Sequence, residues 1–422
     1  MHKIILILIL GVLLLNITSC YDADEIDELL FVTAMGVDQG ISDKWRLTLV
    51  FPSMQEGGGG QEQSEGGSNT GEQNIVSIDA PTFFTGINML NTSLPKKLDF
   101  SQTQLIVIND EIARNGEIGQ FIAPLGRFEQ IRKSAHVYVV KGKSLDLLKE
   151  FQPIPGTTLS KSFQLYPEIA ESSGFFPHIP FEDFYESIKS HSRSAILPLT
   201  AKNDFKNFEK SGKPWGTEFK TGGSYIAGEI PRTGQSKIDV FGTAVFDGHQ
   251  MVGTLNGDET RFLLMARGEF KRGLFTIPDP KKPELALPLD VRIGKRPAIK
   301  VSLRDSKPVI NLKVQLDGDI LAVQSMIDYE QPSQKKLLEQ EFQKVAQSGI
   351  EDVIRKCQRL NADVFNFGDY AARSFLTIGD FEKYNWNSRF KDAQVKVDVS
   401  FIIRRTGTQI KSSPLRDPVG DD

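Results

Sequence analysis

The first twenty residues constrain this chain more than any other stretch. Residues 1–3 include one lysine, residues 4–15 are apolar, and residues 16–20 end in Ser19-Cys20. A short charged start, an apolar core and small residues before a cut site are typical of a secretory signal. The apolar run is shorter than the roughly 20 residues that a membrane-spanning helix needs. We therefore predict that residues 1–19 are a cleaved signal peptide.

The cysteine at the predicted cleavage site indicates a lipid anchor. Residues 17–20 resemble the lipobox of bacterial lipoproteins, whose cysteine is lipidated and becomes the new N-terminus. The resemblance implies that Cys20 carries S-diacylglyceryl and N-palmitoyl groups, and that the rest of the chain faces away from the cytoplasm. Because each buried acyl methylene contributes about 0.8 kcal/mol, such an anchor holds where a single chain would not. An ordinary signal peptide with a cysteine nearby and an uncleaved anchor are the alternatives.

The composition is that of packed domains. The length of 422 residues predicts two to three domains. A hydrophobic content of 39% and a charged content of 25% are ordinary for globular proteins. The formal net charge of -4 gives no sign of a nucleic-acid partner.

Cysteine usage rules out an intrachain disulfide. The chain has 2 cysteines, Cys20 and Cys357, and the first is assigned to the lipid. Cys357 shares a helical face with apolar residues such as Phe342 and Val353. We predict a buried, inert thiol there rather than a reactive one.

Strands that alternate with helical segments predict an α+β fold, a multi-domain mixed α/β body of three domains behind the signal peptide. A Gly-, Gln- and Ser-rich stretch at 56–71 is predicted to be a flexible loop. The predicted segments are an N-terminal mixed α/β domain at 20–200, a linker at 201–223, a middle α+β domain at 224–300, a C-terminal α+β domain at 301–405, and a disordered tail at 406–422.

Three local features carry the prediction for the second half of the chain. The Asp247-Gly248 pair between alternating runs predicts a β-hairpin, and Asp317-Gly318 predicts another. A helical apolar period predicts a helix over 332–360, with a break at Gly349.

The search for catalytic chemistry finds no constellation. The five histidines lack metal-ligand spacing, and there is no CxxC or GxSxG motif. Residues 142–144 read Gly-Lys-Ser after a strand, but the first glycine of a phosphate loop would fall on Val137. We predict no catalytic residues, no metal site and no cofactor, and hence no enzyme.

Several stretches in order along the chain resemble the Ger(x)C family, the lipoprotein C subunits of spore nutrient germinant receptors. One departure is Tyr21, where the family commonly has Trp after the lipid cysteine. The matching residues are Cys20, 25–29 and 36–38 near the start, 241–246, 251–255 and 259–260 in the middle, and 363–368 after the long helix.

The resemblance implies a non-enzymatic subunit on the outer face of the spore inner membrane, anchored through its diacylglyceryl group. It would act with integral-membrane A and B subunits, in a complex that senses a small-molecule germinant. Asp258, Glu259, Asp363 and Phe367 are the candidate partner-interface residues, although structural roles in a hairpin core and a helix-end turn explain the same motifs.

Two other classes of function remain open at this point. An extracytoplasmic solute-binding lipoprotein could capture the nutrient itself, but the chain lacks the long βαβ series of two doubly wound lobes. A cell-wall or lipid hydrolase is the third class, and no motif favours it.

Overall fold

The computed structural model describes residues 4–5, 25–52, 74–151, 159–208, 221–304, 307–407 and 412. Several predictions fall outside these ranges: the lipidation of Cys20, the loop 56–71, most of the linker 201–223 and nearly all of the tail after 407.

Fourteen strands lie in the described ranges. They are β1 (Leu29–Phe31), β2 (Ala34–Gln39), β3 (Trp45–Phe51), β4 (Asn74–Ala80), β5 (Lys97–Asp99), β6 (Leu105–Asn109), β7 (His136–Lys141), β8 (Ile196–Lys202), β9 (Ile238–Asp247), β10 (Gln250–Leu255), β11 (Arg272–Pro278), β12 (Ala286–Arg304), β13 (Lys307–Ile320) and β14 (Gln394–Arg405).

Eleven α-helices lie between them in the same ranges. They are α1 (Phe83–Asn91), α2 (Asp110–Arg114), α3 (Ile118–Leu125), α4 (Ser144–Glu150), α5 (Leu159–Ser173), α6 (Phe181–Ser187), α7 (Gly257–Arg267), α8 (Pro332–Arg359), α9 (Phe367–Ala371), α10 (Ile378–Tyr384) and α11 (Trp386–Phe390). The mixed α/β class predicted from the sequence is confirmed.

The first large sheet has eight strands in the order β10-β9-β8-β7-β6-β2-β3-β4. Its central strands β2, β6, β7 and β8 are parallel, and the strands on either side pair antiparallel. Strand β6 (LIVIN) is buried along its whole length, because parallel central strands are covered by helices on both faces. A short parallel pair, β1 with β5, stands apart from this sheet.

The second sheet has four strands in the order β11-β12-β13-β14. Strand β14 comes last in the chain and runs parallel to β13, which requires the crossover supplied by α8 and the short helices after it. Helix α8 packs on β14, and its Phe342 ring lies 4.5 Å from Phe401 and 5.4 Å from Phe275 between centroids.

The predicted middle domain, 224–300, does not form a layer of its own. Strands β9 and β10 complete the first sheet, while β11 and β12 belong to the second. Helix α7 lies between these two pairs and contacts β9, β12 and α8. One continuous hydrophobic core therefore contains side chains from both sheets, for example Val245 and Phe246 of β9 and Leu289 and Val291 of β12.

One of the two predicted Asp-Gly hairpins is confirmed. Strands β9 and β10 pair antiparallel around Gly248, which has a φ of 56°. The prediction at Asp317-Gly318 is wrong, because β13 runs straight through both residues. Gly318 has a packing role instead, since a Cβ there would lie 2.5 Å from the ring of Phe401.

The predicted break at Gly349 is also wrong, because α8 is continuous over 28 residues. A Cβ at Gly349 would lie 2.3 Å from the ring of Phe262 on α7. The glycine thus allows two helices to approach closely and does not interrupt either of them. None of the helices in the described part of the chain is long and apolar enough to cross a membrane.

Gly349→Ala tests this close approach. Alanine gains about 1 kcal/mol of helix propensity over glycine, but the clash with Phe262 costs about 1–3 kcal/mol. We expect Gly349→Ala to lower the free energy of unfolding in urea. In a Phe262→Ala background, where the ring is absent, the same substitution should raise it. Ser348→Ala, on the exposed side of the same helix, is the control and should change stability by less than about 0.5 kcal/mol. Stabilisation by Gly349→Ala alone would contradict the packing role.

Candidate functional site

A buried aspartate organises the turn that follows α8. Asp363 is fully buried. Its carboxylate accepts hydrogen bonds from the backbone N–H groups of Phe365 (3.1 Å), Phe367 (3.2 Å) and Gly368 (2.8 Å). It also accepts one from the indole N–H of Trp386 at 2.8 Å. Four donors therefore converge on one carboxylate.

The local sequence makes this turn possible. Asn361 and Asn366 have φ values of 52° and 63°, the left-handed region that asparagine tolerates better than most residues. A glycine is needed at 368, because a Cβ there would lie 2.0 Å from the carbonyl oxygen of Ser192 and 2.6 Å from the Trp386 ring. The turn thus bends sharply beneath Trp386 and presses against the segment around Ser192.

Burial raises the pKa of Asp363 to about 6, and the four donors limit this rise. At neutral pH the group is therefore mainly a carboxylate, the form that only accepts hydrogen bonds and suits four donors.

The same turn connects the two sheets. The carbonyl of Asp363 accepts a hydrogen bond of 2.8 Å from the backbone N–H of Ser194, just before β8. Arg267, at the end of α7, donates to the carbonyl of Val364 at 2.6 Å. Asp369 accepts from the hydroxyl of Ser192 and lies 3.4 Å from Arg193. We call this region, residues 190–196, 267–269 and 361–369, the junction.

The other predicted interface residues lie at the opposite end of α7. Asn256 and Glu259 form a capping box, in which each side chain accepts from the other's backbone N–H. Glu259 also binds Lys356 of α8 at 2.7 Å. Asp258 is hydrogen-bonded to the Thr221 hydroxyl, and burial raises its pKa. An α-helix of this length spans about 15 Å, so this group and the Asp363 turn are separate.

The structure corrects the predicted interface at two positions. Asp363 and Phe367 are both 0% exposed, and the Phe367 ring stacks on Phe365 with centroids 5.2 Å apart. A partner cannot touch either side chain without unfolding the turn, so both have structural roles. Asp258 and Glu259 remain partly accessible, and an interface role for them stays a prediction.

The other family-like stretches also have structural explanations. Gly36 faces α4, where a Cβ would lie 2.4 Å from the hydroxyl of Ser144. Asp38 accepts from the Ser144 backbone N–H at 2.7 Å and from its hydroxyl at 2.6 Å, which caps α4. In the middle stretch, Gly242 has a φ of 90°, and a Cβ there would lie 2.5 Å from the carbonyl of Leu255.

Cys357 is fully buried in α8, as predicted. Burial raises the pKa of its thiol well above the usual range, so the reactive thiolate is scarce. Within the described ranges, no group of three or more His, Cys, Asp or Glu side chains is placed to hold a metal ion.

A polar cavity opens beside the junction, between α6, the segment before β8 and the end of α7. Its volume is ≈ 240 Å³. Arginine, serine, histidine and carboxylate side chains supply most of its wall. The residues that line it are His178, Ile179, Asp183, Ser187, Arg193, Ser194, Ile196, Arg267, Glu269 and Asn366.

Sequence reasoning missed this cavity because its residues come from distant parts of the chain. Arg193 lies in the segment before β8, and Arg267 is the last residue of α7. The pairing of β8 with β9 and the packing of α7 on β9 bring the two side chains together. His178 is exposed, and its ring packs against that of His136 with centroids 5.0 Å apart. Burial lowers the pKa of both histidines, that of His136 to about 4.

Comparisons with known proteins agree with the resemblance seen in the sequence. The family model "Spore germination protein N-terminal domain" matches residues 22–202, and "Spore germination B3/ GerAC like, C-terminal" matches residues 241–407. The chain belongs to the Ger(x)C family of spore germination proteins. The gap between the two matched regions, 203–240, ends at the start of β9, so the second region supplies most of β9 and all of β10 to the sheet of the first.

The relatives that this Ger(x)C chain resembles match it along their whole length. It is 22% identical to "Putative spore germination protein YfkR" of Bacillus subtilis (strain 168) over 97% of this chain and 98% of the relative. It is 21% identical to "Spore germination protein KC" of the same organism over 100% of each. The crystal structure of the GerBC protein superposes with a TM-score of 0.51 at 16% identity, over 87% of this chain and 96% of that one, and supports the fold.

Asp363→Ala tests the central role of the buried carboxylate. The substitution leaves four buried donors without their acceptor, and we expect a loss of about 3 kcal/mol or more in the free energy of unfolding. Urea unfolding followed by circular dichroism measures it. Asp352→Ala is the matched control, because Asp352 is exposed and its partners Arg355 and Ser348 lie on the same helix; it should cost less than about 1 kcal/mol. Equal effects of the two substitutions would contradict the assignment.

Proposed function

We propose that this protein is the membrane-anchored C subunit of a spore germinant receptor, without enzymatic activity. It acts with integral-membrane A and B subunits on the outer face of the spore inner membrane, during nutrient-triggered germination. The observation that carries the proposal is the pair of spore germination family models that together account for most of the chain.

The physical argument concerns confinement at a membrane. A diacylglyceryl and palmitoyl anchor on Cys20 supplies the two hydrophobic signals that stable membrane attachment needs. Attachment raises the effective concentration of the body for partners embedded in the same bilayer. Strand β1 begins at Leu29, only 9 positions after the proposed anchor at Cys20, so the body stays close to the bilayer surface.

The contacts inside the chain favour a binding role over catalysis. The family-like residues Asp38, Gly242, Asp363 and Gly368 build the fold, through caps, close backbone approaches and a buried turn. They provide no nucleophile beside a base. A subunit that presents a rigid surface to its partners is consistent with this use of its motifs.

Co-purification tests the proposal. Tagged full-length protein, isolated from gently solubilised spore inner membrane, should recover two polytopic membrane proteins. Cys20→Ala should leave the body folded but release most of it from the membrane, because the transfer free energy of the acyl chains is lost. Cys357→Ala is the matched control, since it removes the other cysteine and keeps the anchor.

Either of two results would count against the proposal. Recovery of no membrane protein from wild-type spores would remove the receptor assignment and favour a solitary binding protein. Undiminished membrane retention of Cys20→Ala would remove the anchor, whatever partners are recovered.

A further inference from the structure

An aromatic cleft opens between helices α1, α3 and α6. Its volume is ≈ 570 Å³, which is within the usual range for binding pockets. Three buried rings, those of Trp45, Phe83 and Phe121, lie in its wall, and the last two have centroids 5.9 Å apart. More accessible side chains complete the wall, namely Lys44, Phe84, Arg127 and Tyr185.

Phe84 supplies an aromatic ring that is both fixed and accessible. It is 44% exposed, whereas its neighbour Phe83 on α1 is 3% exposed and belongs to the core. The Phe84 ring contacts Phe83 and Phe128 edge-on, with centroids 5.3 and 5.4 Å apart. Large aromatic side chains beside a pocket are enriched in protein interfaces, where they serve as anchor points. The cleft therefore has the features of an interface and not only of a core.

The charges around the cleft are of one sign. Lys44 lies with its ammonium 5.0 Å from the centroid of the Trp45 ring and bonds the neutral side chain of Gln120. Arg127 is exposed. Among the described residues, no carboxylate lines the cleft; the nearby carboxylates line the adjacent depression beside α6, and they are Glu129, Glu182 and Glu186. Apolar rings with two cations suit an occupant that is apolar and acidic.

The cleft also lies close to the point where the chain enters the folded body. Asn91, the last residue of α1, accepts a hydrogen bond of 3.1 Å from the backbone N–H of Leu98. Leu98 pairs with Leu30 in β1, the first strand after the proposed anchor. Helix α1 has 9 residues and therefore spans roughly 14 Å. A partner protein held in the same membrane can reach a cleft at this position.

We propose that the aromatic cleft binds a segment of an integral-membrane partner protein, in which a large apolar side chain stands beside an acidic residue. The apolar side chain packs between Phe84, Phe121 and Tyr185, and the acid pairs with Lys44 or Arg127. Anionic lipid is usually bound by clusters of roughly four to eight basic residues, more than this cleft has. The inference rests on the proposed receptor role for the kind of partner, and it locates the contact on this chain.

Photo-crosslinking in intact spores tests the proposal. Tagged full-length protein carries p-benzoyl-phenylalanine in place of Phe84, or in place of Ile402 as the matched control, which is 45% exposed on β14. Irradiation should link position 84 to a polytopic membrane protein, and mass spectrometry should find an acidic residue in the linked segment. Position 402 should not link to that segment.

Charge-reversed variants place the contact in the cleft. Lys44→Glu combined with Arg127→Glu should lower the yield of the link at position 84 about tenfold or more, because attraction becomes repulsion. Lys300→Glu, at an exposed position in β12, is the matched control and should leave the yield unchanged. Both proteins should melt within a few degrees of the wild type, since the changes are on the surface. Changing the acidic residue of the linked segment to Lys should restore the yield in the doubly reversed variant.

Four results would overturn the proposal. They are a link to phospholipid alone, a link to a second copy of this chain, a linked segment without an acidic residue, and a yield that the charge reversals leave unchanged. Absence of any link, in spores from which the tagged wild type still recovers two polytopic proteins, would overturn this inference and leave the receptor proposal intact. Absence of both the link and the co-purified proteins would overturn both.

Discussion

The carboxylate of Asp363 is the interaction on which the arrangement of the second half of the chain depends. It accepts from three backbone N–H groups and from Trp386, so the turn after α8 and helix α11 are fixed relative to each other. A buried charge is tolerated only when its hydrogen bonds are satisfied, and here all four donors come from one short stretch and one indole. Loss of the carboxylate would leave each donor buried and unpaired.

Loss of the Asp363 carboxylate would also affect the rest of the protein, because the backbone of the turn is hydrogen-bonded to both halves of the chain. Asp363 accepts from Ser194 beside the first sheet, and Val364 accepts from Arg267 at the end of α7. Most of β9 and all of β10 lie in the second family region, and these two strands complete the first sheet. The two regions therefore share a sheet, a connecting helix and a core, and neither has a complete hydrophobic core alone.

The sequence predicted the elements better than it predicted their assembly. The β9–β10 hairpin, the long helix and the burial of Cys357 follow from alternation, turn chemistry and helical period, which are local properties. The two wrong glycine interpretations have one cause. Gly318 and Gly349 admit the rings of Phe401 and Phe262, and a neighbour that is distant in sequence leaves no local pattern.

The candidate sites show the same limit. Asp363 and Phe367 were correctly noticed as unusual residues but were interpreted as a partner surface, because burial depends on tertiary packing. The cavity was missed because Arg193 and Arg267 come together only through the sheet order and the placement of α7. Within 224–300, strands that are adjacent in the chain pair in different sheets, β9 and β10 in the first and β11 and β12 in the second.

The central claim is that the two family regions form one cooperative body. Hydrogen exchange at increasing urea concentration, read on peptides from β6 in the first sheet and β13 in the second, tests it most directly. Shared packing predicts that both strands lose protection at the same urea concentration and with the same free energy of opening. Exchange of β13 through a separate transition, with β6 still protected, would contradict the claim.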